Sequence, residues 1–430
     1  MRLHPFRCAG LRGQSMTRAV SGLTGLLLVG AMVAGRAAGD GPVTPAKPPA
    51  STGASTEPDR RKYTSYDYTE AGKALRLTVP DGLPVVRGVL VVGPWSGGDS
   101  RDLHREVWYR EFLHLHGFAF LGAEGLNARG ENFKLMQNAL KQFAADAKRP
   151  ELVHAPYVAT GFSAGGGFAN RLLLEAPDKV IAAVLVGSRP NLTGASLTAA
   201  HLGAPVLIIN GEHEDNGMAA AVEPVLKEFR PKGAPWGWVA APGLGHERDG
   251  QEVLAVPMLA AAVRLRYPTD GDVRKGPVGL KPVDPTTGWL ADNTTWQGPL
   301  ATVAPHARFK GDTAKSSYLP NEDLAFIYRA YATRSRPLMI RSPRNTADSA
   351  RELVWDAGGS VTVRVDDARF AGWTKLELFD GAVQVGERTR GPAEFTVRDL
   401  KPGYHALSVL GTDAAGAVRT SDPVLVVVRK

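Results

Sequence analysis

Between residues 63 and 267 the chain alternates short apolar runs with longer amphipathic ones. The apolar runs predict strands over 75–79, 88–92, 118–122, 157–161, 181–186, 206–210 and 236–240. The runs between them predict helices near 105–116, 133–148, 166–176, 218–229 and 251–266. Residues 89–92 (Val-Leu-Val-Val) and 206–209 (Val-Leu-Ile-Ile) hold no polar position, as strands of a parallel sheet covered on both faces do. Strand–helix alternation of this kind predicts a doubly wound, mostly parallel α/β domain over 63–267.

The pattern changes twice beyond that point. Residues 268–340 are rich in Pro, Gly and Thr, carry Trp289 and Trp296, and hold one helical run at 321–331, with Asn321 as its N-cap. Their aromatics suggest an ordered connecting layer, either a structural brace or a wall of a cleft. From 341 to 430 the period shortens to two, in runs at 360–365, 373–379, 393–397, 405–410 and 424–428. Turn residues at 380–381, 401–403 and 413–416 separate them. That spacing predicts a small all-β sandwich.

At the other end, arginines precede an apolar stretch at 23–34, and Ala37, Ala38 and Gly39 follow. Residues 1–39 therefore read as a signal peptide, too short and glycine-broken for a comfortable membrane span. Residues 40–62, rich in Pro, Ala, Ser, Thr and Gly, read as a disordered linker. The expected protein is secreted or periplasmic, with no stable membrane insertion after cleavage. Its only cysteine, Cys8, would leave with the signal, so stability must come from core burial rather than disulfides.

Net charge first suggests a nucleic-acid partner. Of the formal +8, however, five charges are arginines in residues 1–39, where there is no acid. The rest carries +3, with no basic run interleaved with aromatics, which argues against nucleic acid.

Candidate chemistry centres on residues 157–171 (Tyr-Val-Ala-Thr-Gly-Phe-Ser-Ala-Gly-Gly-Gly-Phe-Ala-Asn-Arg). An apolar run ends in Gly161-Phe-Ser-Ala-Gly165, and a helical run follows at once. A serine on such a strand-to-helix turn is held up at a helix N-terminus, where backbone N–H groups can stabilise an oxyanion. Alone, the pattern is no more than a glycine-rich turn. Acyl transfer also needs a base, an acid to orient it and oxyanion donors.

His246, in Pro-Gly-Leu-Gly-His-Glu directly after the last predicted strand, is the candidate base. His114 and His116 face different sides of one helix, and His154 and His201 precede strands, the wrong end of a parallel sheet for a site. The polar run after strand 206–210 offers Glu212, Glu214 and Asp215 as the acid. The oxyanion donors should be the N–H of Ala164 and one from the loop starting at Gly93. Pro94 has none to offer, which leaves Trp95 or Ser96, with Trp95 preferred.

Over 63–267 the chain resembles the α/β-hydrolase superfamily. Residues 161–173 (Gly-Phe-Ser-Ala-Gly-Gly-Gly-Phe-Ala-Asn-Arg-Leu-Leu), with Ala176-Pro-Asp178 after them, are similar to the nucleophile region of the poly(hydroxyalkanoate) depolymerase and feruloyl esterase branch. The resemblance implies Ser163 as nucleophile and His246 as base. It implies an acid three residues after the glycine that ends its strand, which is Glu214; Asp215 stands one residue late. The chain departs from the branch in starting its oxyanion loop with Gly93-Pro94 instead of His-Gly, and in lacking the cysteines of many secreted members.

The C-terminal stretch is more loosely similar to bacterial immunoglobulin-like domains, which implies a spacer or a polysaccharide- or surface-binding module. The implied protein is a secreted serine esterase acting on a small-molecule or polymer-linked ester, with no metal and no cofactor. A peptidase on the same fold, or a non-catalytic binding or adhesion protein with a decayed hydrolase domain, are the alternatives.

Overall fold

Unbroken apolar runs in the first half of the chain build one large sheet. The structure, a computed structural model, describes residues 61–192, 196–214, 217, 219–344 and 353–429. The expected signal peptide, the linker up to residue 60, and Asp215 lie outside them. Along the chain come β1 (Tyr63–Glu70), β2 (Lys73–Pro80), β3 (Gly88–Gly93), α1 (Val107–His116), β4 (Phe118–Glu124), α2 (Asn132–Asp146), β5 (Tyr157–Phe162) and α3 (Ala164–Glu175). There follow β6 (Val180–Val186), α4 (Ala199–Leu202), β7 (Val206–Gly211), α5 (Val222–Phe229), β8 (Trp236–Ala241) and α6 (Glu252–Arg266).

The eight strands lie in the order β1-β2-β4-β3-β5-β6-β7-β8. From β4 to β8 neighbours run parallel, while β1 and β2 are antiparallel additions at one edge. Every residue of β3, β6 and β7 is buried, because helices cover both faces. The sheet is thus mixed and largely parallel, as the alternating pattern predicts. Strand β1 was not foreseen; its tyrosines are interspersed with polar residues, and half of its positions are exposed, so it lacks the apolar run that marks its neighbours.

Strand order reverses between β3 and β5: from β3 the chain steps to β4 on one side, then returns to β5 on the other. In open α/β sheets the crevice beyond the carboxyl ends of two such strands is where ligands bind. Gly93 ends β3 and Ser163 directly follows β5, so both stand at that crevice.

The connecting layer holds a three-stranded sheet of β9 (Trp289–Asp292), β10 (Val303–Pro305) and β11 (Ser316–Leu319), then α7 (Glu322–Ala332). Asn321 caps α7, its Oδ1 accepting from Leu324 N–H at 2.9 Å. The sheet itself was not expected, since its strands are only three or four residues long and show no apolar period. It packs against β8, the last strand of the large sheet, and so covers an edge that would otherwise offer unpaired backbone groups.

The remaining strands are β12 (Met339–Ser342), β13 (Val354–Asp356), β14 (Ser360–Asp366), β15 (Trp373–Asp380), β16 (Val383–Arg388), β17 (Glu394–Arg398), β18 (Gly403–Asp413), β19 (Val418–Thr420) and β20 (Val424–Arg429). They form two sheets, β12-β14-β17 and β13-β20-β18-β15-β16, with β19 paired to β18. Val363 and Phe395 of the first sheet share one core with Leu378, Val409 and Val426 of the second, so the alternating stretch does fold as a two-layer β unit. Among the described residues no helix is long and apolar enough to cross a membrane.

Candidate active site

Ser163 sits on a turn held in shape by close backbone approach. Its φ of 56° and ψ of −116° are costly for a residue with a Cβ, about 1–3 kcal/mol. The surroundings enforce it. A Cβ on Gly165 would stand 2.1 Å from the carbonyl oxygen of Gly93, and one on Gly161 would stand 2.5 Å from the carbonyl carbon of Gly165. Only glycines let the end of β3 lie directly on the first turn of α3. That contact brings the loop carrying Trp95 to the residue after Ser163. Ala164 is the first residue of α3, so its N–H has no acceptor within the helix. Trp95 lies two residues beyond Gly93 and is 39% exposed.

Two further loops, those after β7 and β8, converge on the serine. His246 Nε2 lies 3.0 Å from Ser163 Oγ, and His246 Nδ1 lies 3.0 Å from Glu214 Oε1. A carboxylate can only accept, so Nδ1 carries the proton and Nε2 is left to accept from the serine hydroxyl. The Phe162 ring lies 4.7 Å from the imidazole, centroid to centroid, and is tilted 33° to it. The His246 side chain is 34% exposed and that of Glu214 only 1%. The imidazole thus opens to solvent, while the carboxylate is enclosed.

Of the expected site residues, the structure brings Ser163, His246 and Glu214 into one hydrogen-bonded row. Asp215 lies outside the described residues. Glu212, the third acid considered, faces elsewhere: its Oε2 accepts from Gly243 N–H at 3.0 Å, and its Oε1 pairs with Arg334 at 3.1 Å. It braces the loop that carries His246.

Some residues around the row were not foreseen. Asn210 is buried and donates from Nδ2 to Glu214 Oε2 at 2.9 Å. It is the penultimate residue of the apolar strand β7, and nothing in that local pattern marks a polar role. Arg248, two residues after His246, bonds Glu106 at 2.8 Å and Glu252 at 3.0 Å. Burial pushes the Glu106 carboxyl above its ordinary range, against the opposing pull of Arg248. These side chains tie the base loop to α6 and to the residue before α1. Arg248 and Glu252 line a small crevice with Gly93, Trp95, Gly161 and Phe162. A larger cleft of about 650 Å³ lies between α1, α6, α7 and the β unit and contains none of the three row residues; chemistry, not volume, marks the site. Among the described residues no group of three or more His, Cys, Asp or Glu is placed to hold a metal ion.

No protein-family model matches the chain, and no curated protein matches it. Solved structures similar to it include a thermostable esterase, 13% identical over 44% of this chain and 56% of that one, with a TM-score of 0.35. Another is the fluorophosphonate-binding serine hydrolase F of Staphylococcus aureus with substrate bound, 13% identical over 47% and 98% of the two chains, TM-score 0.35. A third, the fibronectin(III)-like modules of Clostridium thermocellum CbhA, is 17% identical over 21% and 45%, TM-score 0.19. The chain spans about half the length of the first and the third.

Proposed function

We propose that the protein is an exported serine esterase of the α/β-hydrolase type. Ser163 Oγ attacks the ester carbonyl carbon while its proton passes to His246 Nε2. The imidazolium so formed is stabilised by the Glu214 carboxylate at Nδ1. The developing oxyanion is held by the N–H groups of Ala164 and Trp95. As the carbon–oxygen bond to the alcohol breaks, His246 returns the proton to the leaving oxygen. Water, deprotonated by the same imidazole, then releases the acid and restores Ser163.

The observation that carries this reading is the unbroken row from Ser163 through His246 to Glu214, two contacts of 3.0 Å that begin at a strained serine. The arginine-then-apolar N-terminus supports export. Residues 63–267 would be the catalytic domain, 268–340 the connecting segment and 341–430 a separate immunoglobulin-like module.

A fluorophosphonate probe should label Ser163 in the folded protein, and Ser163→Ala should abolish both labelling and hydrolysis of short-chain aryl esters. Loss of labelling with full esterase activity would place the chemistry elsewhere. Absence of both in the wild type would remove the enzyme reading altogether.

A further inference from the structure

We infer that the connecting segment positions Glu214, acting through Trp238 and Asn210; the inference rests on the hydrolase reading above. Glutamate has one more rotatable bond than aspartate, so aiming one carboxylate oxygen at His246 requires more restraint. Oε1 meets His246, but Oε2 of this enclosed side chain also needs a donor. Asn210 supplies it, 2.9 Å away.

The direction of the Asn210 amide is itself determined. An indole N–H can only donate, and Trp238 Nε1 lies 3.2 Å from Asn210 Oδ1. The oxygen therefore faces Trp238, and the NH₂ faces Glu214. With the amide reversed, two donors would meet at Trp238 and two acceptors at Glu214.

Trp238 is held in turn by the connecting layer. Its backbone N–H donates to Ser317 Oγ at 2.7 Å, and its backbone carbonyl accepts from Tyr328 Oη at 2.7 Å. Asn293 Oδ1 lies 2.7 Å from Ser317 Oγ and 3.2 Å from Tyr328 Oη and joins the two. Burial raises the Tyr328 phenol above its ordinary value, so it remains a donor at any working pH. The same layer reaches the base loop through Arg334 on Glu212. A connected row of hydrogen bonds thus runs from 268–340, across the edge strand β8, to Glu214. This assigns the segment a bracing role.

Asn210→Asp separates positioning from packing, since it keeps shape and the acceptor for Trp238 while replacing the donor to Glu214 with a second carboxylate. The added negative charge favours the imidazolium. The acid limb of the kcat/KM profile should move to higher pH, with kcat about tenfold or more lower and KM close to wild type. Trp238→Phe, which removes only the indole donor and part of the ring, should lower kcat about three- to tenfold. Tyr328→Phe should lower it about two- to fivefold, with Tyr318→Phe, whose hydroxyl takes no part in the row, as control.

Rates are normalised to sites titrated with fluorophosphonate, and folding is checked by thermal unfolding. Wild-type kcat and an unmoved acid limb in folded Asn210→Asp would overturn the inference. A wild-type Tyr328→Phe would overturn the part played by the connecting segment. Retained hydrolysis in Ser163→Ala would instead sink the hydrolase reading, whatever these variants do.

Discussion

Two regions of the molecule contain the same pair of groups, a carboxylate on a histidine Nδ1, and set them to different ends. In the α/β region Glu214 meets His246 at 3.0 Å, and the other ring nitrogen faces the Ser163 hydroxyl. In the β unit Asp380 meets His405 at 2.6 Å, and the other ring nitrogen faces the carbonyl of Lys401 at 2.7 Å. A hydroxyl can donate, so His246 can stay neutral with Nε2 free to take a proton. A carbonyl can only accept, so His405 satisfies both partners only as the imidazolium. Burial works against that charge, yet Asp380 overrides it, with smaller support from Lys401 and Asp323, and the His405 pKa is raised. The group on the far side of the ring decides whether such a pair can act as a base or serves as an ion pair.

The largest expected effect comes from removing the charge at the first pair. Glu214→Gln leaves an amide that can present a donor to Nδ1 and so favour the wrong tautomer, and kcat should fall by about 10³–10⁴-fold. Asp380→Asn should leave kcat within about twofold of wild type, because His405 touches no reacting atom. Equal losses in both variants, measured on one aryl ester at one pH, would break the distinction. Next in size is Gly165→Ala. Its methyl group would meet the Gly93 carbonyl, which must move, taking the Trp95 loop with it. Losing one aligned oxyanion donor costs about 10²–10³-fold in kcat, and the variant should unfold at lower temperature as well.

Glu212 provides a second contrast within the loop that carries Glu214. It lies two residues from Glu214 and its side chain is only 10% exposed. Its carboxylate also follows the buried strand β7, but it meets a backbone N–H and an arginine instead of an imidazole. Glu212→Gln should therefore cost about two- to tenfold in kcat, through looser placement of the His246 loop. A loss as large as that of Glu214→Gln would exchange their roles.

What could be read from the chain divides along physical lines. The serine turn was legible because its requirements are local: Gly161, Ser163 and Gly165 must all lie within five residues for the backbone to pack as it does. The strands β3, β6 and β7 were legible for the same reason, being continuous apolar runs. The carboxylate was not legible from the local pattern, which left Glu212, Glu214 and Asp215 open as polar residues after a buried strand; only the family resemblance pointed to Glu214, three residues after Gly211. Asn210, Trp238 and Tyr328 were invisible as a set, because 28 residues separate the first pair and 90 the second. The sheet β9–β11 escaped notice because its short strands lack any period.

The smallest expected effect is on stability, and its sign tests the second pair. A folded pKa above the unfolded value of about 6.5 means that the native state holds its proton more tightly. The stabilisation from Asp380 and His405 is then fully present below about pH 6.5 and is lost as pH rises through the folded pKa. The other groups facing His405 are the Lys401 carbonyl and, across from α7, Asp323; the latter also favours the charged ring. In Asp380→Asn the chief opposing pull is gone, and burial, the largest single influence, outweighs the smaller support of Lys401 and Asp323 and lowers the imidazole pKa. Unfolding free energies should therefore differ between wild type and Asp380→Asn by about 1 kcal/mol near pH 6, and the difference should shrink above neutrality. A gap that grew with pH would mean that His405 is neutral in the folded state, and the contrast with His246 would lose its basis.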